Sequence, residues 1–199
     1  MDEYAPEKVF GEVKAVAPAL YIPPALLDPL PAYASLADFR GNRDTTRVEV
    51  YIGVPVQEVK LAGQSWQGTR TVVVYDRAWR EVHRSSDRSA LPVLPESKQE
   101  ILDEAKVNLP PGGYFLAVKV TEGDSGRTSL FQDSLRVTDY RGDSLRVSGI
   151  ALARHIAPTE EQGKFVKGKL RVLPAPSRTF RVDQSVSVYF EVYNLKPDA

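Results

Sequence analysis

The stretch LPPGGYFLAVKV, residues 109–120, carries the strongest indication of the fold class. A leucine is followed by two prolines and two glycines, which are typical of a turn. Tyr114 then opens a run with the period-two alternation of a half-buried strand. Residues 122–127, EGDSGR, predict a hairpin turn, because glycine takes the positive φ that such a turn requires. Residues 128–139 are then the partner strand.

Alternating segments also precede this hairpin. Residues 47–54 alternate and stop at a proline, and residues 69–76 are rich enough in β-branched side chains for a central strand. Residues 79–86 have no clean apolar face, which favours a strand near a sheet edge. Residues 98–109 fit either a short helix or a strand, and their alternation favours the strand. Short strands separated by proline and glycine turns predict an all-β, antiparallel sandwich.

The turn before Tyr114 resembles the tyrosine corner of immunoglobulin and fibronectin III sandwiches, in which the phenol bonds a backbone group a few residues upstream. Leu109, Gly112 and Tyr114 are therefore predicted to be structural residues. The predicted fold is a tandem pair of immunoglobulin-like or fibronectin III-like sandwiches, the second of them incomplete.

Composition divides the chain into three predicted parts. Residues 1–44 contain dense prolines, which disfavour long helices and central strands. We expect them to form an extended arm whose apolar side chains pack on a neighbouring surface, and a disordered lead-in is the alternative. Residues 45–140 form the first predicted sandwich. Residues 141–199 begin with an Arg-Gly-Asp turn and form a second, partial sandwich.

The last predicted strand, residues 185–193, presents Val186, Val188, Phe190 and Val192 on one face, which we expect to face a core. The chain as given has no room for a hairpin partner after this strand. An open strand edge seeks a partner, so a partner protein or self-association is predicted there.

Composition argues against several functional classes. Lys and Arg together number 26, as do Asp and Glu, so a net charge of 0 disfavours nucleic-acid binding. There is no cysteine, and His83 and His155 are the only histidines, so no metal site or cofactor is predicted. No run is apolar enough for a transmembrane helix, and the first residues do not resemble a signal peptide.

Five motifs in order along the chain are FRGNRD (39–44), YIGVP (51–55), LPPGGY (109–114), VLPAPSR (172–178) and VYFEVYNL (188–195). Together they resemble the region that follows the signature domain in bacterial GWxTD-domain proteins. The Gly-Trp-x-Thr-Asp signature itself is absent. The resemblance implies a bacterial protein of no established activity, often exported to the periplasm, envelope or medium, with β-sandwich repeats and more chain on both sides. It implies no catalytic residue.

The remaining motifs favour ordinary roles. Gly-Asp-Ser-Gly at 123–126 is interpreted as a turn rather than a protease nucleophile loop, and the acidic residues as solvated strand faces. We therefore predict a non-catalytic structural or protein-interaction module. A carbohydrate-binding module is the alternative, in which Trp66, placed in a polar loop, is a weak candidate for stacking on a sugar. A carboxylate hydrolase is the second alternative.

Overall fold

The computed structural model describes residues 29–97, 99–123 and 125–196. The described residues form antiparallel sheets joined by turns and two short 3-10 segments, so the prediction of an all-β fold is confirmed. The strands are β1 (Tyr33–Arg40), β2 (Thr46–Pro55), β3 (Ser65–Asp76), β4 (Glu81–Pro92), β5 (Glu100–Leu109), β6 (Gly112–Glu122), β7 (Thr128–Val137), β8 (Arg146–Val147), β9 (Ala151–Pro158), β10 (Val166–Lys167), β11 (Leu170–Pro174), β12 (Ser187–Tyr189) and β13 (Val192–Tyr193).

The chain divides into two compact units, each made of separate segments. Among the described residues, the first unit contains 29–30, 68–88 and 113–135, and the second contains 31–67, 89–112 and 136–196. The sequence had placed a boundary near residue 140. Residues 141–196 instead share a unit with β1, β2 and β5.

The first unit contains most of a four-stranded sheet with the order β4-β3-β6-β7. β3 has a neighbour on each side and β4 lies at the edge, as the sequence predicts. The β6–β7 hairpin closes where Gly126, at φ +69°, donates its N–H to the Glu122 carbonyl over 3.0 Å. The segment that resembles a protease loop is therefore a hairpin turn.

The second unit contains the sheet β1-β2-β5, which corrects the expectation of a proline-rich arm as far as residue 44. β1 pairs with β2 along its whole length, from Tyr33 opposite Gly53 to Arg40 opposite Thr46. The last proline before β1 is Pro31, so every residue of the strand keeps its backbone N–H for the ladder. Leu30 is buried, as an arm packed on a surface requires, whereas Leu20, Tyr21, Ile22, Leu26 and Leu27 lie outside the described residues.

Two further sheets complete the second unit, with the orders β10-β11-β9-β12 and β13-β8. Side chains of β1 and β2 meet side chains of β9 and β12 in one apolar cluster, whose members are Ala37, Phe39, Tyr51, Ala151 and Tyr189. A second cluster joins Leu102 of β5 to Phe165 and Leu173. The strands after residue 141 therefore share their core with β1, β2 and β5.

Trp66 lies within β3 rather than in a polar loop, and it is only 2% exposed. This finding corrects its assignment as an accessible aromatic. Trp79, in the turn between β3 and β4, is 51% exposed and is the accessible tryptophan of the two.

We expect Trp66→Ala to lower the free energy of unfolding by about 3–5 kcal/mol, because it leaves a large cavity in the core. Trp79→Ala is the matched control and should cost about 1 kcal/mol, because it removes little more than a stacked aromatic contact. Chemical denaturation of the two variants measures both values. Equal losses would contradict the burial assigned to Trp66.

Candidate functional site

The segment predicted as the last strand, residues 185–193, has its apolar face exposed to solvent. Val186, Val188, Phe190 and Val192 are each between 40% and 52% exposed, although the sequence predicts that they face a core. The predicted strand is also broken, because β12 pairs with β9 whereas β13 pairs with β8. The prediction of a core face is therefore wrong for these four residues.

The opposite face of this strand explains the reversal. Tyr189 packs against Phe39 with ring centroids 5.8 Å apart, and Tyr193 packs edge-on against Tyr140 at 5.0 Å. The hydroxyls of Tyr189 and Tyr193 both donate to Glu191, over 2.9 and 2.5 Å. Two large rings bury more apolar area than the valines, and the carboxylate satisfies their polar ends. The tyrosine face therefore packs inward.

Further exposed apolar residues lie on and next to β8. Val147 lies directly opposite Val192 in the β8–β13 ladder. We call the two sets of residues together the apolar patch, and its members, each 40–61% exposed, are Leu145, Val147, Ile150, Val186, Val188, Phe190 and Val192. Contiguous exposed apolar surface of several hundred Å² is typical of interaction sites.

The apolar patch adjoins a strand edge. β12 is the last strand in the order β10-β11-β9-β12, and within the part of the chain that the structure describes it pairs with β9 alone. An unpaired edge presents a row of backbone donors and acceptors to another strand. An apolar face and an open edge therefore occur on one element.

A buried ion cluster lies beneath this element. Glu49 of β2 is fully buried, and its carboxylate accepts from the ammonium of Lys167, from the Tyr51 hydroxyl over 2.6 Å and from Arg47 Nε over 2.9 Å. The Lys167 ammonium also lies 3.9 Å from the centroid of the Phe39 ring. Arg47 extends the cluster toward Glu191, with 3.9 Å between Arg47 Nη2 and Glu191 Oε1.

The pKa values of the cluster follow from this arrangement. Burial alone raises the pKa of a carboxyl group, but the charge of Lys167 and the hydrogen bonds from Lys167 and Tyr51 outweigh burial and lower the pKa of Glu49. Burial, together with the Glu49 charge, raises the pKa of Tyr51. The side chains of Glu49 and Lys167 are both buried, so each serves as the structural counter-ion of the other beneath the last strand.

The residues of the predicted tyrosine corner are placed as follows. Leu109 is buried at the end of β5, Gly112 is exposed at the start of β6, and Tyr114 is half-buried. Burial and the nearby Asp76 carboxylate raise the pKa of Tyr114. A hydrogen bond from its hydroxyl to the backbone near Leu109 stays a prediction. Tyr140, which the sequence did not indicate, donates its hydroxyl to the Asp38 carbonyl over 3.2 Å.

Trp79 is held in a defined orientation. Its ring stacks on Phe115 at 4.1 Å with 2° between the planes, and its backbone takes the left-handed φ of 60°. The Asp76 side chain stabilises the turn by accepting from the N–H groups of Ala78 and Arg80. One face of an exposed indole is thus covered by Phe115.

Three of the acidic residues interpreted as solvated are in fact buried on β5. Glu100, Asp103 and Glu104 are each 5% exposed or less. Their contacts are the Arg154 guanidinium, the Lys164 ammonium and the Phe165 N–H, at 2.9, 2.5 and 2.9 Å respectively. The sequence could not indicate these pairs, because the contacting residues lie 54 to 61 positions away.

Neither a cluster of metal-ligating side chains nor a membrane-spanning helix occurs among the described residues. They contain no group of three or more His, Cys, Asp or Glu side chains arranged to hold a metal ion. No helix within ranges 29–97, 99–123 and 125–196 has the length and apolarity to cross a membrane.

Comparison with known proteins gives limited information. No protein-family model matches the chain, and no curated protein matches it. Among solved structures, it is similar to the crystal structure of a "putative beta-galactosidase" from Bacteroides fragilis, with a TM-score of 0.37 and 12% identity. That match covers 55% of this chain and 16% of that chain. The relationship to GWxTD-domain proteins and the immunoglobulin-like assignment stay predictions.

We expect Glu49→Gln and Lys167→Met each to lower the free energy of unfolding by about 3–5 kcal/mol, because each leaves its partner charge buried without a counter-ion. The double variant should lose clearly less than the sum, since it buries neither charge. Glu81→Gln, in the exposed Glu81–Arg84 pair, is the control and should change stability little. Additive losses in the double variant would contradict the assigned pairing.

Acid should weaken the stabilisation that the Glu49 carboxylate provides. The folded pKa of Glu49 lies below its usual value of 4.5, so its stabilisation is complete above pH 4.5 and is lost as the pH falls through the lower, folded value. We expect the denaturation midpoint of the natural protein to fall over this interval more steeply than that of Glu49→Gln. If the midpoints of the two proteins fell in parallel with pH, Glu49 would not be the group whose protonation destabilises the fold.

Proposed function

We propose that this chain is a non-catalytic interaction module that associates with a second copy of itself through the apolar patch. The observation that carries the proposal is the outward apolar face of residues 186–192 beside the open edge of β12. The occupant must therefore supply apolar surface and backbone hydrogen bonds together.

A second copy supplies both from the same element. Val188 is the central residue of β12, and a two-fold axis at that residue would pair the strand antiparallel with its own copy. The ladder would then continue from one β10-β11-β9-β12 sheet into the other. This axis is perpendicular to the sheet, so the same rotation places the two apolar patches side by side on one face of the continuous sheet, and no member of the patch is charged.

The buried polar groups support a non-catalytic role. The carboxylate of Glu49 accepts three hydrogen bonds and contacts no solvent, so it serves the packing of the last strand. We further propose that the chain is part of a larger bacterial envelope or secreted protein. This part of the proposal is supported by the resemblance of residues 39–195 to GWxTD-domain proteins.

Val188→Glu tests the proposal, because Val188 is 50% exposed, so a carboxylate there leaves the fold intact, whereas in the dimer it lies directly opposite the same carboxylate of the second copy. Val82→Glu is the matched control, since Val82 is a valine of β4 that is 47% exposed and lies outside the apolar patch. Sedimentation velocity at micromolar concentrations should show a dimer for the natural chain and for Val82→Glu, and a monomer for Val188→Glu.

Amide hydrogen exchange tests whether the β12 edge is the one that pairs in the dimer. We expect slow exchange of the β12 amides at concentrations where the dimer forms, and faster exchange in Val188→Glu. A monomeric natural chain, or a dimer that Val188→Glu leaves intact, would overturn self-association through this face. Binding of the monomer to an added protein through the same face would replace the second copy with a different partner.

A further inference from the structure

A polar cleft in the second unit is separate from the apolar patch. It has a volume of about 410 Å³, and its wall includes the start of β1, the end of β2, the start of β5 and residues of the loop from Ser177 to Gln184. A neighbouring cavity of about 440 Å³, called the neighbouring lobe, is lined by four of the same residues: Gln99, Arg154, Arg181 and Gln184. Small-molecule sites have volumes of about 300–1,000 Å³, so the cleft is large enough for such a ligand.

A buried ion pair forms part of the cleft wall. Arg154 Nη2 donates to Glu100 Oε1 over 2.9 Å and to Ser177 Oγ over 3.1 Å. The side chain of Glu100 is 5% exposed and that of Arg154 is 9% exposed. Within the described structure, Glu100 Oε2 and Arg154 Nε are buried and have no hydrogen-bond partner.

An unpaired buried polar atom is unfavourable, so these two atoms require an explanation. One is an acceptor and the other a donor, and they belong to side chains that pair with each other. A hydroxyl group suits either atom, because it can donate one hydrogen bond and accept another. A ligand that carries hydroxyl groups therefore fits this part of the wall.

Gly53 makes room for the carboxylate. A Cβ added at Gly53 would lie 2.9 Å from Glu100 Oε2 and 3.3 Å from the Cβ of Pro176. A larger residue on this part of β2 would displace the Glu100 side chain. The close approach of the β2 backbone thus holds Glu100 Oε2 in position in the wall.

The charges of the cleft are largely compensated within it. Glu100 pairs with Arg154, and Arg181 pairs with Asp183 at 3.0 Å, while Glu96 is a further acidic group of the neighbouring lobe. The remaining lining groups include side-chain amides and hydroxyls with two aromatic rings, Tyr33 and Phe180. This composition favours a neutral, polar ligand over an anion or a cation.

We propose that the cleft binds a neutral carbohydrate, with sugar hydroxyl groups at the Glu100–Arg154 pair and a ring face against Tyr33 or Phe180. Both polar atoms are covered, so the cleft wall must move on binding to expose them. Sugars combine hydroxyl groups with apolar ring faces, and the cleft offers partners for both. This inference does not rest on the proposed self-association.

The test uses the full chain, labelled with ¹⁵N, and a panel of neutral sugars: glucose, galactose, mannose, xylose, N-acetylglucosamine and their disaccharides. Two-dimensional NMR titration should shift the backbone amides of Arg154, Ser177 and Gln184 with at least one sugar. Acetamide, acetate and guanidinium are parallel probes for amide, anionic and cationic ligands.

Two variants locate the contact. Glu100→Gln keeps the side-chain volume but removes the charged acceptor, and we expect it to weaken sugar binding by about tenfold or more. Phe180→Ala changes a half-buried loop residue, keeps the ion pair and should also weaken binding, so the test does not depend on the folding of Glu100→Gln. Trp79→Ala is the control for sugar stacking elsewhere and should bind as the natural chain does.

Three outcomes would overturn the proposal. The first is that no sugar of the panel shifts the three amides. The second is that Trp79→Ala abolishes binding while Phe180→Ala leaves it unchanged, which would assign the sugar to the exposed indole. The third is that acetamide, acetate or guanidinium shifts the cleft amides and the sugars do not, which would assign another class of ligand.

Discussion

The packing of the second unit depends on the buried charge of Glu49. A carboxylate with no solvent contact must be neutralised and hydrogen-bonded, and here a lysine 118 positions later in the chain supplies the opposite charge. This requirement places β10 over β2 and brings the Lys167 ammonium against the Phe39 ring. The cluster thereby ties the strands after residue 141 to the sheet β1-β2-β5.

The same cluster determines which face of the last strand becomes available to a partner. Arg47 connects Glu49 with Glu191, and Glu191 accepts from the hydroxyls of Tyr189 and Tyr193. With both tyrosines held inside, the alternation of the strand leaves its aliphatic residues outside. The structural role of the buried charge and the proposed interaction surface are therefore two consequences of one arrangement.

Local patterns were sufficient for several alternating strands bounded by turns, whether or not one face is cleanly apolar. β2, β3 and β5 begin within four residues of their predicted positions, and β4 lies at a sheet edge as expected. The pattern was insufficient for the last strand, because both of its faces are apolar enough for a core. It was insufficient again for the cleft, since Glu100 and Arg154 are 54 residues apart and meet only after folding.

The amino-acid sequence by itself determined most of the strands between residues 46 and 137, the turns between them and the all-β class, because alternation, proline and glycine act over a few neighbouring residues. Tertiary structure alone decided which tryptophan is buried, which acidic residues are paired and which face of the last strand points outward. Each of these outcomes depends on a contact between distant segments, such as the pairing of β2 with β5 or of Lys167 with Glu49. Burial and charge pairing are properties of the assembled sheets, so no short stretch of sequence specifies them.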